Sequence, residues 1–214
     1  MTEANAVRVK VCGINSEAAF DAAIGAGADW VGFVFFPPSP RFVTPARAAE
    51  ISKRFAGGPP RVGLFVSPTE AEIAAALAEV PLDILQIYGP GWNAETLRRR
   101  FGLALWRAVG VAAKADLPRA AGGWDALLIE AKAPPDATRP GGNSLCFDWA
   151  LIAGWAPPAP WLLAGGLNPE NVARAIEATG ASAVDVSSGV ERAPGIKDPE
   201  LIRAFVARAR GASG

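Results

Sequence analysis

The chain has 214 residues, which is enough for one domain with a large core or for two small domains. Lys plus Arg and Asp plus Glu each total 21, and this zero formal net charge argues against nucleic acid or a membrane surface as a partner held by bulk electrostatics. The sequence contains no histidine, which excludes catalytic triads and metal sites that depend on imidazole.

Short β-branched runs alternate with Ala-rich helical stretches along the chain. Thr44 and Thr69 are predicted helix N-caps, and Pro45 opens the second helix. The stretch after the fifth strand is interrupted by Lys, Pro and Gly and predicts a poor helix. Strands are predicted at 7–12, 29–36, 61–66, 82–87, 104–109, 126–131, 161–164 and 183–187. Helices are predicted at 16–25, 45–55, 70–79, 93–101, 147–152, 168–178 and 199–210.

Eight such strand–helix units average about 27 residues each, which fits a (β/α)8 TIM barrel, a fold whose size range begins at about 200 residues. A doubly wound open parallel sheet shows the same alternation and is the alternative. No linker or change in composition marks a second domain. We therefore predict a single α/β domain, a (β/α)8 barrel spanning 1–214.

The first strand predicts what lies inside the barrel. The three valines of 7–11 share one face of the strand and should pack under the helices, whereas Lys10 and Cys12 should face the barrel lumen. A buried lysine requires a carboxylate or other polar partners. Asp185 is the predicted partner, since the eighth strand adjoins the first in a closed barrel, and Gln86 is expected nearby.

Active sites of such barrels lie at the carboxyl ends of the strands, so reactive residues at those ends are candidates. Cys12 ends the first strand and is either a buried small residue or, if nearby cations lower the pKa of its thiol, a general base. Glu130 interrupts an apolar strand, and it is either salt-bridged to Lys10 or Lys132 or a general acid opposite Cys12. Cys146 is interpreted as structural.

Three further features suggest that the site binds an anionic ligand. Arg41 lies in a proline-rich loop, a setting that suits either a guanidinium holding a fixed carboxylate or an exposed loop arginine. Gly165 and Gly166 follow the seventh strand, and Ser188 and Gly189 follow the eighth. Each pair alone is also consistent with a simple tight turn. Together they favour a phosphate site, because glycine lets backbone N–H groups approach an anion closely.

The location of the protein is also predicted from composition. The two cysteines are far apart, match no zinc or CxxC spacing and do not make a disulfide scaffold. No apolar stretch of signal-peptide length begins the chain, and no run of about 18 apolar residues occurs in it. We therefore expect a cytoplasmic protein with no membrane span.

Seven stretches of the sequence, which cover nearly the whole chain in order, are VKVCGI, GADWVGFVFFPPSPRFV, VGLFV, LDILQIYG, AKAPPDATRPGGNSLCFDW, LAGGLNPENV and DVSSGVERAPGIKD. Together they resemble phosphoribosylanthranilate isomerase. The resemblance implies an enzyme of tryptophan biosynthesis that converts N-(5-phosphoribosyl)anthranilate, by an Amadori rearrangement, into 1-(2-carboxyphenylamino)-1-deoxyribulose 5-phosphate. It implies no cofactor and no metal, a small phosphosugar as substrate, and a monomer or homodimer.

The same resemblance implies residue roles. Cys12 corresponds to the general base that removes the proton from C2′ of the ribose, and Glu130 stands at the position of the general acid. Arg41 corresponds to the residue that holds the anthranilate carboxylate, and the glycine-bearing turns would hold the phosphate. The family usually has Asp at the position of Glu130 and His at that of Tyr88. These two departures leave a non-catalytic or altered-specificity phosphosugar-binding barrel as the alternative function.

Overall fold

Eight parallel strands form a closed barrel in which each strand pairs with the next and the eighth pairs with the first. The computed structural model describes residues 6–134 and 148–212. Closure confirms the predicted (β/α)8 class and excludes the open sheet, whose first and last strands would not pair. The strands are Arg8–Cys12 (β1), Trp30–Val34 (β2), Arg61–Val66 (β3), Ile84–Tyr88 (β4), Ala104–Val111 (β5), Ala126–Ala131 (β6), Trp161–Leu163 (β7) and Ala183–Val186 (β8).

Six α-helices and three short 3₁₀ turns connect or follow these strands in the part of the chain that is described. In those same residues, no helix is long and apolar enough to cross a bilayer. The helices are Glu17–Gly25 (α1), Pro45–Ser52 (α2), Glu70–Glu79 (α3), Ala94–Phe101 (α4), Val172–Thr179 (α5) and Pro199–Gly211 (α6). The 3₁₀ turns are Lys114–Asp116, Trp149–Ile152 and Ser188–Val190.

Side-chain caps fix the helix starts that the sequence predicts. The Thr44 hydroxyl accepts a hydrogen bond from the backbone N–H of Arg47, and Pro45 occupies the first turn. Thr69 and Glu72 form a reciprocal capping box, in which each side chain accepts from the other residue's backbone N–H. These bonds satisfy donors that a helix start otherwise leaves without partners, so the chain turns helical at these positions.

The structure differs from the sequence-based expectation in the segments that follow β7 and β8. Helix α5 begins at Val172 rather than at position 168, because the Asn168 side chain accepts from the N–H groups of Glu170 and Asn171, both at 2.9 Å, and holds a turn. Beyond β8, the chain forms an antiparallel hairpin that was not predicted. Its strands are Glu191–Ala193 (β9) and Ile196–Lys197 (β10).

Inward-facing side chains fill the barrel in layers, as the alternation in β1 predicts. Val9 and Val11 are fully buried in the core beneath the helices. Lys10 and Cys12 face the lumen, Lys10 with 0% of its surface exposed. A polar layer of Lys10, Gln86 and Asp185 separates two apolar layers. The layer towards the carboxyl ends of the strands contains Cys12, Val34, Leu64, Tyr88, Ala108, Leu128 and Ala164, and the opposite layer contains Trp30, Val62, Ile84, Trp106, Ala126, Leu162 and Ala183.

Candidate active site

The predicted base Cys12 and acid Glu130 lie at one mouth of the barrel, together with Tyr88. Cys12 is the last residue of β1, Tyr88 is the last residue of β4, and Glu130 is the penultimate residue of β6. All three are buried, with exposed fractions of 3%, 7% and 5%. The second cysteine, Cys146, predicted to be structural, lies outside the described residues.

The Cys12 thiol is free and tightly enclosed. A Cβ added to the neighbouring inward-facing Gly32 would lie 2.9 Å from Cys12 Sγ, so glycine at this position leaves the space that the thiol occupies. Burial raises the pKa of Cys12 above its ordinary value, although the Lys10 ammonium opposes the shift. The cation that would favour a thiolate is therefore present, but desolvation outweighs it in the resting protein, and the pKa is not lowered overall.

Lys10 and Asp185 form the buried ion pair that the sequence predicts, with 2.6 Å between Nζ and Oδ1. Burial alone would lower the pKa of Lys10, but Asp185 and Cys12 together raise it above its ordinary value. Lys10 is therefore charged at neutral pH and stands directly below the thiol. Because Asp185 takes this lysine, the alternative salt bridge between Glu130 and Lys10 is not the arrangement found.

Gln86 lies in the same polar layer, fully buried. Neither its amide nitrogen nor its amide oxygen has a hydrogen-bond partner among the described residues. A buried primary amide is normally satisfied, so Gln86 is an exception to the usual pairing of buried polar groups. The sequence placed Gln86 near Lys10 and Asp185, and its position in the same layer agrees with that expectation.

Tyr88 and Glu130 interact across the mouth. The pKa of Tyr88 is raised well above its ordinary value, first by burial and then by the charges of Glu130, Asp185 and Cys12, with a side-chain hydrogen bond to Glu130 adding to the shift. The phenol is therefore neutral throughout the physiological range and is a hydrogen-bond donor. The two residues at which this sequence departs from the usual family pattern are thus neighbours in space.

Arg41 is buried rather than an exposed loop arginine, with 4% of its surface exposed. Its Nε and Nη2 donate to the two carboxylate oxygens of Glu191 at 2.7 and 2.9 Å, forming a bidentate pair. Lys197 Nζ donates to the same Glu191 carboxylate at 2.8 Å. Sequence reasoning missed Glu191 and Lys197, although both lie in the DVSSGVERAPGIKD stretch, where two charged residues flank a Pro-Gly turn.

The two glycine-bearing turns lie against each other, as the phosphate prediction requires. Gly165 and Gly166 have positive φ values of 87° and 67°, which glycine adopts readily. A Cβ on Gly189 would lie only 1.8 Å from the carbonyl oxygen of Leu167, so the turn after β8 must carry glycine to approach the turn after β7. In the described chain, the N–H groups of Ser188 and Gly189 donate to no protein acceptor.

A search of the described residues finds no group of three or more Cys, Asp or Glu side chains arranged to hold a metal ion. The polar groups at the mouth are instead a thiol, a carboxyl, a phenol, a guanidinium and backbone N–H groups. Such a set suits proton transfer and the binding of anions.

Comparison with known proteins agrees with this chemistry. The family model described as N-(5'-phosphoribosyl)anthranilate (PRA) isomerase matches residues 9–208. A protein of that name from Acidiphilium cryptum is 57% identical over 207 residues, which cover 96% of this chain and 99% of the relative. The chain belongs to the PRA isomerase family.

Solved PRA isomerases share the architecture described above. The crystal structure of the enzyme from Thermotoga maritima superposes with a TM-score of 0.83 at 37% identity, covering 96% of this chain and 99% of that one. A PRA isomerase in complex with reduced 1-(o-carboxyphenylamino)-1-deoxyribulose 5-phosphate has a TM-score of 0.81 at 36% identity, covering the same shares. The (β/α)8 barrel is therefore the fold of the family as well as of this chain.

Proposed function

We propose that this protein catalyses the Amadori rearrangement of N-(5'-phosphoribosyl)anthranilate, the isomerisation for which its family is named. The observation that carries the proposal is the placement of a buried thiol, Cys12, and a buried carboxyl, Glu130, at one barrel mouth. One base and one acid are the minimum set for an aldose–ketose proton shuttle.

In the proposed reaction, Glu130 is the general acid. Its carboxyl proton passes to the ring oxygen of the ribose as the bond between that oxygen and C1′ breaks, which leaves an iminium between C1′ and the anthranilate nitrogen. The Cys12 thiolate then removes the proton from C2′, and the electrons of that C–H bond form an enolamine. The enolamine gains a proton at C1′ from the Cys12 thiol, and its C2′ hydroxyl returns a proton to the Glu130 carboxylate as the C2′ carbonyl forms. The 1-deoxyribulose product results with no net gain or loss of atoms or electrons, and both side chains recover their starting protonation states.

Cys12 has to lose its proton before it can act, and the residues around it explain how. Burial favours the neutral thiol, so a thiolate needs a cation within the same dry space. Lys10 supplies that charge, and Asp185 keeps Lys10 in position from the adjacent strand. A substrate that excludes water from the mouth strengthens the attraction between ammonium and thiolate, because the effective dielectric falls.

The two ends of the substrate carry negative charge, and the proposal assigns a site to each. Arg41 holds the anthranilate carboxylate through its guanidinium. The phosphate binds at the paired turns, where Gly165, Gly166, Ser188 and Gly189 let backbone N–H groups approach it. A phosphate or sulfate found bound elsewhere in a crystal of this protein, with these turns unused, would contradict the assignment.

Three further expectations, about location, assembly and cofactors, accompany the proposal. We expect a cytoplasmic protein, because its two cysteines match no disulfide framework. We expect 1–214 to act as one catalytic domain, either as a monomer or as a homodimer, and size-exclusion chromatography with light scattering distinguishes the two states. We also expect catalysis without a cofactor, so a chelator should leave the rate unchanged.

The experiment that tests the function follows the decrease in anthranilate fluorescence as substrate is consumed. The wild-type protein should turn over the substrate, whereas Glu130→Ala should lose most of that turnover. Substrate binding without turnover by the wild type would instead support the non-catalytic phosphosugar-binding barrel.

A further inference from the structure

We propose that Glu191 is a positioning residue, which orients Arg41 for the carboxylate of an aromatic substrate, and that the β9–β10 hairpin is the structural support of this end of the site. The inference rests on the proposed function, which assigns the anthranilate carboxylate to Arg41. It adds a second residue, from a different element, that determines which ligand Arg41 accepts.

The Glu191 carboxylate is fully committed to hydrogen bonding. One carboxylate oxygen accepts from Arg41 Nε and from Lys197 Nζ, at 2.7 and 2.8 Å. The other accepts from Arg41 Nη2 at 2.9 Å and from the backbone N–H of Gly195 at 3.2 Å. Burial would raise the pKa of Glu191, but these partners hold it below its ordinary value. Glu191 is thus a fixed anion rather than an acid or base.

The bidentate contact fixes the orientation of Arg41. A guanidinium is planar and pairs with a carboxylate along one edge. With Glu191 on the Nε–Nη2 edge, the plane and direction of the group are set before a ligand binds. An arginine without such a partner would have to lose rotamer freedom each time a ligand binds. Glu191 therefore preorganises the site.

The hairpin holds Glu191 against the loops that carry the site. The backbone of Gly195, at φ 79°, approaches the loop of Arg41 so closely that an added Cβ would lie 2.2 Å from the carbonyl oxygen of Pro40. The Asn15 amide donates to the Gly195 carbonyl at 2.9 Å, which ties the hairpin to the loop after β1. The loops after β1, β2 and β8 are therefore fastened together at this point.

Lys197 connects the same hairpin to the base of the proposed reaction. Lys197 Nζ donates to the Ser187 carbonyl at 2.8 Å, and the Ser187 hydroxyl donates to the Cys12 carbonyl at 3.2 Å. The carboxylate end of the site is thus built on the strand ends that also carry the thiol. In the described chain, the Glu191 side chain accepts hydrogen bonds from Arg41, Lys197 and Gly195 only, so it makes no direct hydrogen bond to the turns assigned to phosphate.

The test compares two ligands that report on the two ends separately, anthranilate and inorganic phosphate. Glu191→Gln keeps the size of the side chain but removes its charge and one acceptor oxygen. We expect the Kd for anthranilate and the KM for the substrate to rise about 10- to 100-fold, the range expected when a hydrogen bond to a charged group is lost. The Kd for phosphate should stay within about twofold and kcat should change less than KM.

A matched control is available on the surface. Asp21 forms a similar bidentate pair with Arg54, at 2.8 and 2.6 Å, but both side chains are about half exposed and lie away from the barrel mouth. Asp21→Asn should leave both affinities unchanged. Glu191→Asp, a milder change that also covers the case of a poorly folding Gln variant, should bind anthranilate with an affinity between those of the wild type and Glu191→Gln.

Two results would overturn the inference. Unchanged anthranilate affinity in the Glu191 variants would mean that Arg41 needs no orientation by Glu191. Equal weakening of anthranilate and phosphate would mean that Glu191 supports the fold as a whole. Failure of the proposed function is seen differently, since the wild-type protein itself would then show no turnover.

Discussion

Replacing Lys10 by Met tests the buried ion pair on which the proposed base depends. Lys10 has no exposed surface, and its Nζ lies 2.6 Å from Asp185 Oδ1. The substitution preserves the bulk of the side chain but leaves the Asp185 carboxylate, 8% exposed, without its cation. Removing one partner of a buried pair costs about 3–5 kcal/mol, a large part of the roughly 5–15 kcal/mol that stabilises a typical domain.

The assay is equilibrium urea denaturation at pH 7, followed by tryptophan fluorescence. Seven tryptophans report on the fold, and Trp30 pairs in register with Lys10. Adding Asp185→Asn to Lys10→Met removes the stranded charge and should recover about 2 kcal/mol of the free energy of unfolding. Arg54→Met, which breaks an exposed pair, should cost less than about 1 kcal/mol. A Lys10→Met variant that loses less than about 1 kcal/mol, or a double variant no more stable than the single one, would refute this account of the pair.

The remaining predictions concern the mouth of the barrel. Cys12→Ser should lower kcat by at least about 100-fold while binding changes little, and near-normal turnover in steady-state assays would exclude Cys12 as the general base. Glu130→Asp should retain or raise kcat, whereas Glu130→Gln, which keeps the shape but has no carboxyl proton, should lose most of it; equal activity of Gln and Glu would remove Glu130 from the role of acid. Tyr88→His and Glu130→Asp should be non-additive in kcat/KM by about 0.5–3 kcal/mol, because Glu130 acts electrostatically on Tyr88, and additive effects would contradict that coupling. Burial lowers the pKa of Lys197 to about 8 from an ordinary value of 10.5, although Glu191 opposes the shift. Above pH 8 the unfolded chain therefore binds more protons than the folded protein, so the free energy of unfolding rises with pH. Between pH 7 and 9.5, the free energy of unfolding of the wild type, measured by urea denaturation, should rise by about 2 kcal/mol more than that of Lys197→Met. A difference between the two proteins that stays constant with pH would contradict the low pKa.

Local physical chemistry made much of the fold predictable. The strands Arg61–Val66 and Ala126–Ala131 and the helix Glu70–Glu79 have the bounds that periodicity and capping predict. Alternation within β1 placed Lys10 and Cys12 in the lumen, since successive side chains of a strand must face opposite sides. Barrel closure then put Asp185 beside Lys10, because the eighth strand pairs with the first. Residue type and spacing were sufficient for these features.

Other features depended on the folded chain. Arg41 and Glu191 are 150 residues apart, and their pairing requires the direction in which the β9–β10 hairpin leaves β8, which no periodic pattern encodes. The effect of Glu130 on the pKa of Tyr88 likewise depends on two different strands, β6 and β4, ending at the same mouth of the barrel. The pKa of Cys12 shows the reason most clearly. The sequence indicated a nearby cation, but the sign of the shift is the balance between that charge and desolvation, and the extent of desolvation exists only once the barrel has closed.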